Sequence, residues 1–169
     1  MIGLPAGKVF LSEWDNEWEV YYESIKAKIL EQLGDDINIY HIGSTSVKGL
    51  SAKPIIDIAI EIDSFENINK IINGLERIGF DNKGGNILPE RYYFSDGNPR
   101  KYQIHVYEKG NKYLKDQLDF NKILKRNEHI LNLYNDLKIK LATQFPDDKF
   151  KYTEEKTDFI IKVLNNDIK

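Results

Sequence analysis

The sequence predicts an α/β (α+β) fold, a mixed β-sheet packed by helices with a helical C-terminal region, as a single domain over residues 1–169. Three observations carry this. Isoleucines at 56, 58, 60 and 62 alternate as they do on a strand with one buried face. Amphipathic runs with helical spacing stand before and after that segment. No linker, repeat or low-complexity tract divides the chain, and 41% hydrophobic with 30% charged residues is globular composition.

Taken in order, Ser12-Glu13-Trp14-Asp15 reads as a capping box opening a helix whose apolar stripe is Trp18, Tyr21, Tyr22, Ile25, Ile29 and Leu33, stopped by Gly34. Ile37 to Ile42 is a short strand, followed by the small-residue turn Gly43-Ser44-Thr45-Ser46. Ile55 to Ile62 is the second strand, with Asp57, Ala59 and Glu61 on the face opposite the isoleucines. Asp63-Ser64-Phe65-Glu66 caps a helix through Ile78 that ends at Gly79. Asp81 to Gly85, with paired glycines, predicts a loop. Glu90–Ser95 and Lys101–Tyr107 predict a hairpin around Asp96-Gly97-Asn98-Pro99. Helices fill the remainder: one containing Leu114 to Leu124, one from about Glu128 to Phe145, and one opened by Thr153 and running through Leu164.

Composition removes several function classes. With no cysteine there is neither a disulfide framework nor a thiolate nucleophile, which suits a reducing cytoplasm, the expected location. No segment approaches the ~20 apolar residues that cross a bilayer. Lys plus Arg is 24 against 27 Asp plus Glu, and the net charge of −3 argues against nucleic acid or an anionic membrane as partner. A small-molecule ligand is the expected partner. The lysine-rich stretch Lys101–Lys125 is interrupted by acidic residues and reads as a solvated mixed-charge surface.

Chemistry is concentrated between residues 41 and 58. A strand, a Gly-Ser turn and a carboxylate thirteen residues after the serine together suit a metal-bridged phosphate chain. Glycine lets the backbone of Gly43, Ser44 and Thr45 approach phosphate oxygens, and hydroxyls add donors. Asp57, on the neighbouring strand, supplies a hard oxygen ligand for Mg²⁺ (or Mn²⁺). Lys53 and Arg91 are placed to neutralise phosphate charge.

The run His41-Ile42-Gly43-Ser44-Thr45-Ser46-Val47-Lys48-Gly49-Leu50-Ser51-Ala52-Lys53-Pro54-Ile55-Ile56-Asp57-Ile58 closely resembles the signature of the GrpB family. The resemblance continues through Trp14, His105-Val106, Tyr134 to Lys138, and Tyr152-Thr153 with Lys156. It implies a nucleotidyltransferase-like fold, related to a domain fused to dephospho-coenzyme A kinase in some bacteria. It further implies a metal-dependent nucleotidyltransferase moving a nucleoside monophosphate from an NTP to an acceptor. In that scheme Asp57 and His105 are catalytic and metal-binding. Lys138 and Lys156 join Gly43, Ser44, Thr45, Lys53 and Arg91 around the nucleotide.

The chain departs from that pattern in several places. A nucleotidyltransferase of the usual kind carries two carboxylates one residue apart, and Asp57 is followed at that spacing by Ala59. Glu61 shares the face, but four residues along a strand is roughly 13 Å, too far to chelate the same ion. Gln103 stands where many relatives carry a first histidine, and Phe120-Asn121-Lys122 stands for a Phe-Arg-Asp segment. The alternative is therefore a catalytically inactive module of the same fold that binds a nucleotide, coenzyme or other phosphorylated ligand, or a protein partner. Turnover of NTP distinguishes the two.

Overall fold

The structure, a computed structural model, describes residues 1–168 with the exception of the Asn86 side chain. Five strands, β1 (Asn38–Ile42), β2 (Ile56–Ile62), β3 (Asp81–Leu88), β4 (Arg91–Ser95) and β5 (Tyr102–Glu108), form one sheet in the order β1-β2-β5-β4-β3. The sheet is mixed: β2 and β5 run parallel, and the other neighbours are antiparallel. Helices α1 (Glu17–Leu33) and α2 (Ile68–Arg77) precede and follow the β1-β2 pair, and α3 (Lys112–Arg126), α4 (Glu128–Gln144) and α5 (Lys149–Leu164) complete the chain.

The isoleucine face behaves as its alternation requires. Ile56, Ile58 and Ile60 are fully buried and pack with Trp18, Ile29 and Leu75 of α1 and α2 and with Ile104 and Val106 of β5. Burying that face against two helices leaves the Asp57 face for α3 to α5. Their shared cluster, Phe120, Leu124, Ile130, Tyr134 and Val163, also takes in Val47 and Leu50 from the segment after the Gly-Ser turn.

Three boundaries differ from the sequence reading. Helix α1 begins at Glu17, because the Ser12 backbone is paired in both directions with Ala52 (2.8 and 2.9 Å), and Asp15 Oδ1 accepts from the Glu17 amide instead (2.9 Å). The glycine pair at 84 and 85 lies inside β3 and not in a loop. Gly84 adopts φ +105° at a register shift, and Gly85 lies flat beneath the Tyr92 ring, where a Cβ would come within 2.8 Å of Cζ, so the glycines bend a strand. Helix α5 starts four residues before Thr153, capped by the Asp148 side chain accepting from the Lys151 amide (2.9 Å). At the hairpin, Asp96 Oδ1 accepts from the amides of both Lys101 and Tyr102 (2.8 Å each).

Candidate functional site

The Gly-Ser turn leaves β1 and stands directly against β2. Ile42 and Asp57 are paired across the two strands, so the next residue, Gly43, crosses over the Asp57 side chain. Gly43 has φ +72°, and a Cβ there would lie 2.7 Å from Asp57 Oδ2, so both conformation and space require glycine. A 3₁₀ turn, Ser44–Ser46, follows and is tied down on every side. Ser46 Oγ donates to Gly43 O (2.7 Å), Asn121 Nδ2 of α3 donates to Ser46 Oγ (2.9 Å), and Trp14 Nε1 donates to Thr45 O (3.3 Å). Thr45 Oγ1 meets His41 Nε2 (3.0 Å), whose ring is stacked on Tyr22. The turn is thus held beside Asp57 by the segment before α1 and by α3.

Above it opens a cavity of about 330 Å³, roofed by the C-terminal helices. Lys53, Lys138 and Lys156 line it, and Asp57 is the one carboxylate among its lining residues. Lys53 and Lys156 both stand over the Tyr152 ring, at 5.7 and 4.3 Å from its centroid. Lys138 is 1% exposed and donates from Nζ to Ser51 O, while the neighbouring Asn135 Oδ1 accepts from the Ser51 amide (2.8 Å). Helix α4 therefore holds the loop leading into β2 by two contacts one turn apart.

Electrostatics follow from crowding positive charge in a half-enclosed space. Burial lowers Lys156 to about 7, with Lys53 lowering it further and Asp57 opposing. Burial likewise lowers Lys53, and it pushes Lys138 well below the ordinary lysine range with Lys156 and Lys53 adding to the effect. Burial raises Asp57 to about 6 against the pull of Lys53, Lys156 and Arg100. With its amide oriented to serve both neighbours, Gln103 donates to Asp57 Oδ1 (3.2 Å) and accepts from Arg100 Nη1 (3.1 Å), which links the carboxylate to a second cation behind it.

Of the residues expected at a site, Gly43, Ser44, Thr45, Lys53, Asp57, Lys138 and Lys156 line this one cavity. His105 and Arg91 lie outside its lining. His105 is opposite Ala59 in the sheet register, between the rings of Tyr93 and Tyr107, and its Nδ1 is buried without a hydrogen-bond partner. Burial, reinforced by Arg91, lowers it to about 3, so it is neutral near pH 7. Arg91 stacks on Tyr107 and Tyr113. Glu61 accepts from Asn38 Nδ2 (3.0 Å) on β1, away from the turn.

The donor set does not match a protein-held magnesium pair. One carboxylate faces three lysines, and among the described residues no group of three His, Cys, Asp or Glu side chains converges. Sequence reading missed Arg100, the bridging role of Gln103, the shared Tyr152 ring, and Asn121, which ties α3 to the turn. The Asn121 contact had a signal in the Phe120-Asn121-Lys122 departure; Arg100 had none, because a lone arginine after a turn reads as surface.

Comparison with known proteins places this geometry in context. A family model described as GrpB protein matches residues 8–166. The UPF0157 protein YqkA of Bacillus subtilis (strain 168) is 34% identical over 158 residues, covering 92% of this chain, which spans only 46% of that relative's length. The glutamate-rich protein GrpB of Alkalihalophilus pseudofirmus is 27% identical over 175 residues, covering 98% and 99% of the two chains. The crystal structure of the conserved protein GrpB from Enterococcus faecalis superposes with a TM-score of 0.85 at 31% identity, over 93% of this chain and 96% of that one. The Cid1 poly(U) polymerase, in its MgGTP-bound structure, matches with a TM-score of 0.53 at 12% identity, over 79% of this chain and 43% of its own. That likeness shows a nucleotidyltransferase-like fold.

Proposed function

The chain belongs to the GrpB family, and we propose that it binds a phosphorylated small molecule of the nucleotide or coenzyme class directly through lysines, without a protein-held metal pair. One observation carries this reading: three lysines crowd a cavity whose lining holds a single carboxylate, itself raised to about 6. Burial holds Lys53, Lys138 and Lys156 below their ordinary pKa values and repulsion from neighbouring cations adds to it, and an entering polyanion relieves that repulsion. A cavity of about 330 Å³ suits a ligand of modest size, with the Tyr152 and Tyr134 rings as apolar walls.

A second reading, nucleotidyl transfer from an NTP to an acceptor, is favoured by the direct contact between the Gly43 turn and Asp57. In that reading Asp57 is the protein carboxylate available to Mg²⁺, and the remaining oxygens come from the substrate and water.

Asp57→Asn separates the two. If lysines bind the anion directly, ATP binding measured calorimetrically in EDTA persists in wild type and is kept or tightened in Asp57→Asn, because a repelling charge is removed. Lys156→Met weakens it roughly tenfold, the scale of a charge-assisted hydrogen bond in a half-buried site. Binding that needs Mg²⁺ and vanishes in Asp57→Asn, with pyrophosphate released in wild type, establishes the transfer reading instead.

A further inference from the structure

Behind Lys53 lies a second, smaller recess of about 80 Å³, bounded by the N-terminal segment and the β4-β5 hairpin. Lys53, Ile55 and Gln103 line both this recess and the main cleft, so the two spaces adjoin at these side chains. The recess has its own cations: Lys8, Arg100 and Lys149 join Lys53, and its lining includes no carboxylate. Lys8 is already paired with Asp147 (2.7 Å). For Lys53, Arg100 and Lys149, no carboxylate of the described residues lies within ion-pair distance.

Arg100 is the built part of this recess. Its Nη1 donates to Gln103 and its Nε is buried without an acceptor. With the guanidinium oriented by Gln103, a phosphoryl oxygen in the recess is the acceptor that the fork of its terminal N–H groups fits best. A space of about 80 Å³ admits one such group and no nucleoside.

We propose that the recess is a second anion subsite, and that the ligand carries linked phosphoryl groups, one held between Lys53 and Lys156 in the cleft and one between Lys53 and Arg100 behind it. Lys149 closes the outer side. The inference rests on the phosphate-binding reading of the cleft and narrows its ligand from any phosphomonoester to a diphosphate or longer chain. The Asp57-Gln103-Arg100 link then has a purpose: it orients the guanidinium that lines the recess.

Calorimetric titration of wild type, Arg100→Met and Lys149→Met with inorganic orthophosphate, pyrophosphate and tripolyphosphate, in EDTA and at low salt, tests this. Wild type is expected to prefer pyrophosphate over orthophosphate by about tenfold or more, as a second set of charge-assisted bonds supplies. Arg100→Met brings that preference to near parity while orthophosphate affinity stays within about twofold, since Arg100 does not line the cleft. Lys149 is solvent-exposed, so its replacement leaves the fold intact. It reduces the preference about threefold, and it decides the matter if Arg100→Met does not fold. A preference that survives in the folded variants, or no preference in wild type beside clear orthophosphate binding, overturns the subsite and leaves the cleft reading standing. No binding of any of the three anions by wild type overturns both.

Discussion

A methyl group at position 43 would stand 2.7 Å from Asp57 Oδ2 and sit on a backbone at φ +72°, where side chains other than glycine's are strained. Gly43→Ala is therefore expected to cost about 1–2 kcal/mol and to lower the thermal unfolding midpoint by about 2–8 °C. It also pushes the turn off Asp57 and moves Gly43, Ser44 and Thr45, which line the cavity, so phosphate binding falls more than the loss of stability accounts for. Calorimetry beside titration checks both; an unchanged midpoint would mean the turn relaxes away from β2. Gly43, Ser44 and Asp57 were legible in sequence because they lie within one short run of strand, turn and strand. Arg100 and Gln103 were not, because their meaning comes from a parallel pairing of β2 with β5 between residues more than forty positions apart.

At the scale of elements, the C-terminal helices supply two of the three cleft lysines, Lys138 and Lys156, and the start of α4 is set by Asn127. This residue ends α3, its amide bonding to Ile123 O (3.0 Å), and opens α4, its side chain accepting from the Ile130 amide (3.0 Å). From there Tyr134 and Lys138 fall one turn apart on the face of α4 turned to the cleft. Asn127→Ala is expected to lose about 1 kcal/mol of stability as a lost N-cap. Chemical denaturation checks this, with no change in the denaturant slope expected because the same surface is buried. Helix interiors and stops were readable from their periodicity, as in α1 from Trp18 to Gly34. Starts were read poorly where a long-range contact claimed the cap: Ser12 has the side chain of a capping residue, yet Ala52 takes its backbone. The glycines of β3 misled for a related reason, since Tyr92 on the adjacent strand fills the space that Gly85 leaves.

For the whole molecule, buried titratable groups make stability depend on pH in a definite direction. Burial lowers His41 from 6.5 to about 4 and His105 from 6.5 to about 3. Each binds its proton more readily unfolded than folded, so stability present above pH 6.5 is lost as pH falls toward those values. Asp57, raised from 3.8 to about 6, acts oppositely, favouring the fold as pH falls through that window. Two histidines against one aspartate leave a net loss. The unfolding midpoint is expected to drop between pH 6.5 and 5, and the slope to flatten in His105→Phe; a midpoint constant over that range would mean that the histidines protonate in place. Sequence alone determined the fold class, the isoleucine-faced strand, the turn and the carboxylate beside it, because these depend on local periodicity and on residues close in the chain. Only the tertiary structure decided that Lys53, Lys138 and Lys156 converge on one cavity, that His105 and Arg91 stand outside it, and that Arg100 lies behind Asp57. Those placements are set by strand order and helix docking, and so by burial of the apolar faces of distant segments, which no local pattern of charged residues encodes.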